Sequence, residues 1–597
     1  MDPLIGLFGQ KSVNSAGLEG NCEFDRDNGE LMVDNSSISV VGEDNINYLP
    51  PECAEGNIEY KLKLINPSQS RFEHLVTQMK WRLREGHGEA IYEIGVEDKG
   101  LLVGLTEEEA DSSLRTLYLM AEKLGASVNI LREKIVSPAT SSTKRKVMEV
   151  LIRRVPDDQG SIELRVAVLG NVEVGKSTLL GVLTQGELDN GRGSARLNLF
   201  RHRHEIQSGH TSSISREILG FDSRGCPVTY NICRTPEEIY ESSSKLITFI
   251  DLAGHQKYLR TTIFGLMGHS PHIAMLVVSA VAGLAGTTLE HLGLALALDV
   301  PIVIVVNKVD LSTSETTKDT LSKLESLLKS PACKKLPIVI NCKDDAITAA
   351  SSMASNVTPI FKVSCFNGTG LDLLYTFLNV FSPCLSNKDV DKLIQKDAEF
   401  QVDETFHVTE VGTVVGGLLT SGILKEGNWI QVGPNIDGNF VKAQIQSIHR
   451  YKVPCRVVRA GESATFALAN KDPESLEQLR KGMVILSLAR EPHQDNSICL
   501  YFQARMHVLY HATMISSGYQ ATVHIGNICQ TAVVIAIMGK RGVTTNETAS
   551  MMLKFLRQPE YVQPGCRILF REGQSKCIGQ VVQIFPFSEP NNWLEAM

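Results

Sequence analysis

The 597-residue sequence has no CxxC pair, no apolar run long enough to cross a bilayer and no large excess of charge of either sign. Each absence excludes something. The thirteen cysteines are odd in number and scattered, which fits neither a disulfide framework nor a zinc ribbon, and free thiols in a reducing compartment are expected. Without a stretch of ~18 apolar residues there is no candidate membrane span. The opening MDPLIGLFGQ has no basic n-region and no transit-peptide arginines, so the expectation is a cytoplasmic protein with no membrane partner. A net charge of −8, from 59 Lys+Arg against 67 Asp+Glu, excludes coating nucleic acid by bulk charge and leaves a local basic patch open. What is present is an ordinary 43% of hydrophobic residues, which excludes wholesale disorder. The length corresponds to about three to five domains.

Residues 1–56 are rich in Asn, Ser, Gly and Asp and read as mostly disordered. From Ile58 the pattern changes. EYKLKL reads as a strand, and RFEHLVTQMKWRLREG puts Leu75, Met79 and Leu83 on one helical face. AIYEIGVED and GLLVGL read as strands around a turn, and SSLRTLYLMAEKLGA as a helix carrying Leu114, Leu117 and Ala121 and ended by Gly125. VNILRE and MEVLIRR complete a small α/β domain near 57–158, with no catalytic signature. Over 162–385, the nearly continuous apolar runs LRVAVLG, KLITFID, IAMLVVSA, PIVIVVN and PIFKVS alternate with helical stretches, the pattern of parallel strands covered on both faces. A charged linker (SNKDVDKLIQKDA) follows. Residues 398–488 and 495–587 are then Gly- and Val-rich with regular turn signals and read as two β-barrels, and 588–597 as a flexible tail. The fold class is multidomain α/β plus β, and nothing requires an oligomer.

Gly170-Asn171-Val172-Glu173-Val174-Gly175-Lys176-Ser177 fits GxxxxGK[ST] between a strand and a helix beginning at Thr178. The glycines let backbone N–H groups turn inward around phosphate oxygens, and the helix N-terminus adds its positive dipole end. Lys176 is expected to reach the β- and γ-phosphates and Ser177 to coordinate Mg²⁺. Asp251-Leu-Ala-Gly254 also follows a strand directly: Asp251 is placed to hold Mg²⁺ through water, and Gly254 to offer its N–H to a γ-phosphate. Asn307-Lys308-Val-Asp310 closes PIVIVV. A carboxylate at Asp310 accepts from guanine N1–H and the exocyclic amine, and the Lys308 stem packs along the base. Ser364-Cys365, after PIFKV, sits where a backbone N–H reaches guanine O6. The four elements together describe a site for GTP and GDP.

P-loop, DxxGH, NKxD and a Ser-Cys element ahead of two β-barrels resemble the translational GTPases typified by elongation factor Tu. The segments GELDNGRGSARLNLFRHRHEIQSGHTSSIS, FIDLAGHQKYLRTTIFGL and HLGLALAL are similar to the subfamily of GTP-binding proteins 1 and 2, and EYKLKLINPSQSRFEHLVTQMKWRL narrows the likeness to one branch of it. The resemblance covers about residues 57–586. It implies that Thr211, in Gly209-His210-Thr211, is the switch I threonine that closes on Mg²⁺ and γ-phosphate, and that His255 orients the attacking water once ribosomal RNA has positioned it. The sequence departs from the family's pattern at Glu173, Val174, His210 and Ala253, which bear on the hydrolysis rate more than on binding.

Arg192–Arg203, with four arginines and His202, is read equally as an RNA-phosphate contact or a solvated loop. Gly412–Gly417 lacks a following helix and reads as strand geometry; the pairs His202/His204 and His507/His511 lack further ligands and read as non-metal. Two functions follow from the resemblance. One is a Mg²⁺-dependent GTPase that works with ribosomes and RNA, its barrels holding a tRNA-like cargo. The other is a poorly hydrolysing, GTP-loaded scaffold for RNA-decay or quality-control factors; a selenocysteine-type or sulfurylase-like specialist is a weaker third.

Overall fold

The computed structural model describes residues 48–587, apart from 137–143, 156–161, 285, 332, 354–355, 383–386, 410, 471–475, 477, 489–496 and 574. The tail read at 588–597, and most of the segment read as disordered at 1–56, lie outside the described residues.

The first domain is a four-stranded sheet of β1 (Ile58–Lys61), β2 (Glu89–Ile94), β3 (Ala126–Ile135) and β4 (Lys146–Arg154), in the order β1-β2-β4-β3. Helices Gln69–Glu85 and Glu107–Lys123 cover one face. The first starts where the Ser68 hydroxyl accepts from Arg71 N, the second in a capping box between Thr106 and Glu109. Leu75, Met79 and Leu83 pack with Leu117, Met120 and Ala121 onto Tyr92, Ile94 and Val150, which are the alternate residues of the strands. Two expectations change here. GLLVGL forms isolated bridges, Val96 to Leu102 and Leu105 to Lys146, because Gly100 and Gly104 have left-handed φ values of 88° and 72° that break the pleat. Residues 48–56 also belong to the folded domain. Buried Arg82 donates to the carbonyls of Cys53 and Gly56 and pairs with Glu52 and Glu59, tying this stretch down.

The second domain is an eight-stranded sheet in the order β11-β12-β10-β9-β5-β8-β6-β7. Its strands are β5 (Ile162–Leu169), β6 (Ser215–Phe221), β7 (Pro227–Val228), β8 (Lys245–Asp251), β9 (Ile273–Ser279), β10 (Ile302–Asn307), β11 (Leu336–Val339) and β12 (Val357–Lys362). From β11 to β8 the pairing is parallel, and the apolar runs feed one cluster on each face. β6 and β7 add an antiparallel edge hairpin that no apolar run announced. The loops after β5, β8 and β10 open at the same carboxyl edge of the sheet, where ligands of open α/β sheets bind.

The stretch read as a linker contains a helix, Asn387–Gln395, and Gly422 N donates to the carbonyl of Leu393 at its end. The first barrel closes because Trp429–Gly433 pairs with both Val441–Arg450 and Val484–Ser487. The second closes through Ile498–Tyr510, paired with both Thr548–Phe555 and Ser575–Pro586. Gly412–Gly417 is part of strand Gly412–Ser421, and a Cβ at Gly417 would meet Gln401 O at 1.9 Å, so glycine is needed for strand packing there. All eleven cysteines of the described residues are free, and among those residues no helix is long and apolar enough to cross a membrane.

Candidate nucleotide-binding site

The loop leaving β5 is held in shape by its own carbonyls. Lys308 Nζ donates to Glu173 O at 2.7 Å and Asn307 Nδ2 to Val174 O at 3.1 Å, while Thr287 Oγ1 donates to the Asn171 side chain. With those oxygens committed outward, the intervening N–H groups are left to face the cradle. Glycine is required at both ends. A Cβ at Gly170 would stand 2.3 Å from Val277 O, and one at Gly175 would stand 2.5 Å from Asn307 Nδ2. Gly170 N donates to Nδ1 of His291 at 3.2 Å; burial holds that imidazole neutral, down at about 3. Helix Lys176–Gln185 starts at Gly175 with no side-chain cap, so its first-turn donors are available to an anion.

The departures in this loop are placed by burial. Val174 is inside the core cluster beneath the loop, and Glu173, in the left-handed region at φ 63°, is exposed. Val172 and Thr178 are half-buried, and Ala253 is buried, its carbonyl accepting from Thr262 Oγ1 at 2.8 Å. His210 is half-buried, its N–H donating to Ser208 Oγ.

Lys176 lies over the loop, donating to the carbonyls of Gly170 and Asn171 at 3.1 and 2.8 Å. Burial pushes its ammonium down to about 8 against the opposing pull of Asp251. Ser177 Oγ donates to Asp251 Oδ2 at 2.6 Å and lies 2.8 Å from Thr211 Oγ1. Burial raises the Asp251 carboxyl above its usual range, and its Oδ1 is buried with no protein partner. Two hydroxyls and an orphaned carboxylate oxygen beside a phosphate cradle are the hard oxygen donors Mg²⁺ takes, so the residues present fit that ion. Gly254 closes the corner: a Cβ there would stand 2.3 Å from Lys176 Nζ and 2.7 Å from two P-loop carbonyls. His255 stands apart. It is exposed, its Nδ1 accepts from Lys257 N at 3.0 Å, and its ring meets Tyr258 edge-on.

At the other end, exposed Asp310 accepts from Ser364 Oγ at 2.6 Å through Oδ1, and that hydroxyl accepts from Phe366 N and Asn367 N. One oxygen of Asp310 is thereby oriented. Lys308 takes φ 63°, which folds its stem back over the P-loop. Cys365 is a buried thiol, pushed up to about 12 by burial, and it donates to Asn307 Oδ1. The structure thus brings together Gly170–Thr178, Thr211, Asp251, Gly254, Asn307, Lys308, Asp310, Ser364 and Cys365, and leaves His255 at the rim.

Sequence reasoning missed the residues that shape the loops. Asp189 accepts from the N–H groups of Gly191, Gly193 and Ala195, and its own N–H donates to Cys365 O. Arg196, inside the basic stretch, is half-buried and donates to Gly209 O at 3.3 Å, whereas Arg192, Arg201 and Arg203 are exposed. Glu205 is buried, and the available signal was a lone acid among basic residues, three after His202, with a Ser-Ser pair downstream. His202 and His204 stack at 5.3 Å, and His204 bonds Ser212; His507 bonds Thr548 and His511 bonds Ser575.

A cleft of about 610 Å³ opens where the second domain and both barrels meet. Arg201, Arg260, Arg480, Lys481 and Arg557 line it together with Asp403, Glu404 and Glu560.

The sequence matches the family described as elongation factor Tu GTP binding domain over residues 163–385, and elongation factor Tu domain 2 over 412–486. It is 58% identical to GTP-binding protein 2 of Mus musculus over 539 residues, covering 90% of this chain and 88% of that protein. It is 43% identical to GTP-binding protein 1 of Xenopus laevis, covering 89% and 79%. Among solved structures, the GTPase-like domain of S. cerevisiae Ski7, bound to GTP, superposes with a TM-score of 0.53 at 13% identity, covering 71% of this chain and 98% of that one; this likeness concerns the fold.

Proposed function

The chain belongs to the elongation factor Tu-type GTPases, in the branch of GTP-binding proteins 1 and 2, and from that premise we propose that it is a Mg²⁺-dependent switch in the cytoplasm, hydrolysing GTP to GDP and phosphate in partnership with ribosomes and RNA. The observation that carries this reading is the convergence of Ser177, Thr211 and the orphaned Asp251 oxygen beside Lys176. Ser177, Thr211 and Asp251 would hold Mg²⁺, which when bound would supply neutralising charge to the phosphate oxygens. Asp310, oriented by Ser364, accepts from guanine, and the Lys308 stem covers the base. Lys176 offsets the charge that builds toward the leaving diphosphate, and Gly254 N–H contacts the γ-phosphate, so the DxxG loop reports which nucleotide is bound. No covalent intermediate forms. Water attacks in line, and His255 orients it after its ring leaves the Lys257 N–H. Because that ring caps its own turn, intrinsic turnover is slow and a partner accelerates it.

The cationic cleft between the domains supports an RNA partner, a tRNA-like cargo or ribosomal RNA, because guanidinium and ammonium groups bind phosphates at any sequence. The alternative, a poorly hydrolysing scaffold for RNA-decay or quality-control factors, draws on the same self-capped His255.

Single-turnover GTP hydrolysis with and without cytoplasmic ribosomes, beside His255→Ala, separates the two. Strong ribosomal stimulation lost in the variant supports the translational switch; tight GTP binding with no stimulation supports the scaffold. Unchanged guanine-nucleotide affinity in Asp310→Ala would overturn the site itself.

A further inference from the structure

Glu205 is 1% exposed in a short helix, Arg203–Ser208, whose other side chains are all exposed. A glutamate turned inward there needs partners, and it has them on both oxygens. Oε1 accepts from Ser212 N at 2.7 Å, Ser212 Oγ at 2.8 Å, Ser213 N at 3.0 Å and Ser213 Oγ at 3.1 Å. Oε2 accepts from Arg201 N at 3.0 Å and His202 N at 3.1 Å. Burial alone would raise this carboxyl, but the donors from Ser212, Ser213 and Arg201 outweigh it and hold the group at about 2. A carboxylate carries no proton and accepts on both oxygens, as these donors require, whereas an amide spends one end on donating.

The target of this convergence is the residue between the clamps. Ser212 follows Thr211 directly, and on the other side Arg196 donates to Gly209 O at 3.3 Å. Thr211 Oγ1 stands 2.8 Å from Ser177 Oγ. Switch I is therefore closed around an internal carboxylate that belongs to switch I itself.

We propose that Glu205 is a positioning residue: it pre-orders the Gly209–Ser213 backbone so that the Thr211 hydroxyl stands at the metal corner before nucleotide arrives, and it thereby sets the preference for GTP over GDP. The inference rests on the GTPase reading above. GTP engages Thr211 through the γ-phosphate side, whereas GDP lacks that phosphate, so ordering the loop in advance favours GTP alone.

The test is equilibrium binding of a non-hydrolysable GTP analogue and of GDP, each titrated against Mg²⁺, for the full chain and for Glu205→Gln and Glu205→Asp. The expected result for Glu205→Gln is about tenfold weaker binding of the GTP analogue and a higher Mg²⁺ requirement, with GDP affinity within about twofold. Glu205→Asp keeps the charge and loses reach, and should fall between. Amide exchange at 209–213 in nucleotide-free protein should speed up in the same order. Equal losses for both nucleotides in Glu205→Asp as well as Glu205→Gln, or an unchanged GTP to GDP ratio, overturn the proposal. Lys176→Ala in the same assay guards the premise. If it binds guanine nucleotides like the unsubstituted protein, the site assignment fails; if it does not, and the Glu205 variants match the unsubstituted protein, only the positioning role fails.

Discussion

The nucleotide domain is gripped from two sides in different ways. Toward the first domain the contact is dry. Glu89, Arg153 and Lys245 are essentially inaccessible, with Arg153 Nη2 2.7 Å from Glu89 and Lys245 Nζ 3.6 Å. Their remaining donors end in backbone sockets: Arg153 on the carbonyls of Asp222 and Asn379, Lys245 on those of Asn379 and Phe381. Burial alone would raise Glu89, but the two cations and Ser382 outweigh it and hold it below its usual range. Toward the barrels the contact is mixed: Glu163 and Arg450 meet at 3.1 Å nearly out of water, while the side facing the cleft is partly wet. Arg216 meets Asp403 at 2.6 Å, yet 29% of its side chain remains exposed on the cleft. A buried triad in carbonyl sockets has one geometry, whereas an arginine partly open to a cleft holds its partner less rigidly. β6 connects the two regimes. Arg216 near its start is at the barrel joint, shortly after Thr211, and Asp222 after its end is at the fixed contact. β6 thus links the segment after Thr211 to both contacts.

The comparison breaks first at Glu89. Glu89→Ala leaves two buried cations unpaired and should cost about 3–5 kcal/mol, read as a lower urea midpoint for the transition that exposes the first domain. At the barrel joint, Asp403→Ala removes the acceptor shared by Arg216 and His269 and should cost about 2 kcal/mol, with a wider distribution of distances between the second domain and the first barrel by paired spin labels. Loss of more stability here than at Glu89 would reverse the assignment of fixed contact and joint.

The dry side also carries a pH signature. Burial pushes Glu93 up to about 8, with Glu149 raising it further and Arg132 opposing; Tyr60 is the other titratable neighbour. A carboxyl whose folded value is raised binds more protons folded than unfolded, so its contribution is complete below the ordinary value of about 4.3 and declines as pH rises through about 8. Glu93→Gln should flatten that decline and raise stability at pH 8, checked by melts between pH 5 and 8.5. The smallest effect belongs to Arg567→Ala. Its partner Asp299 is 80% exposed at 3.3 Å, and the change should stay within about 0.5 kcal/mol. A larger value would mean that the barrel contact is less forgiving than its exposure implies.

The legible parts of this protein were those whose chemistry is local in the chain. A phosphate loop needs glycines, a lysine and a hydroxyl within eight residues, and an apolar strand declares itself in six. Hence the P-loop, Asp251–Gly254, Asn307–Asp310 and the central parallel strands were readable, as were the helical faces of Leu75–Met79–Leu83 and Leu117–Ala121. What escaped was decided elsewhere. GLLVGL looks extended until two left-handed glycines interrupt it. SNKDVDKLIQKDA is polar enough for a linker, but it turns as a helix whose last-turn carbonyl at Leu393 accepts from Gly422 of the barrel. β6 is a partly polar edge strand with no apolar run to mark it.

The amino-acid sequence by itself determined that guanine nucleotide chemistry sits at the carboxyl ends of a parallel sheet, because backbone conformation and residue spacing suffice to build a phosphate cradle. Only the tertiary structure decided which of many charged residues shape that chemistry. Glu205 reads like any solvated acid until Ser212 and Ser213 fold back onto it, and Lys245 like any strand lysine until Glu89 of another domain meets it. Desolvation makes such groups costly without a partner, and the partner is chosen by the fold rather than by proximity in the chain.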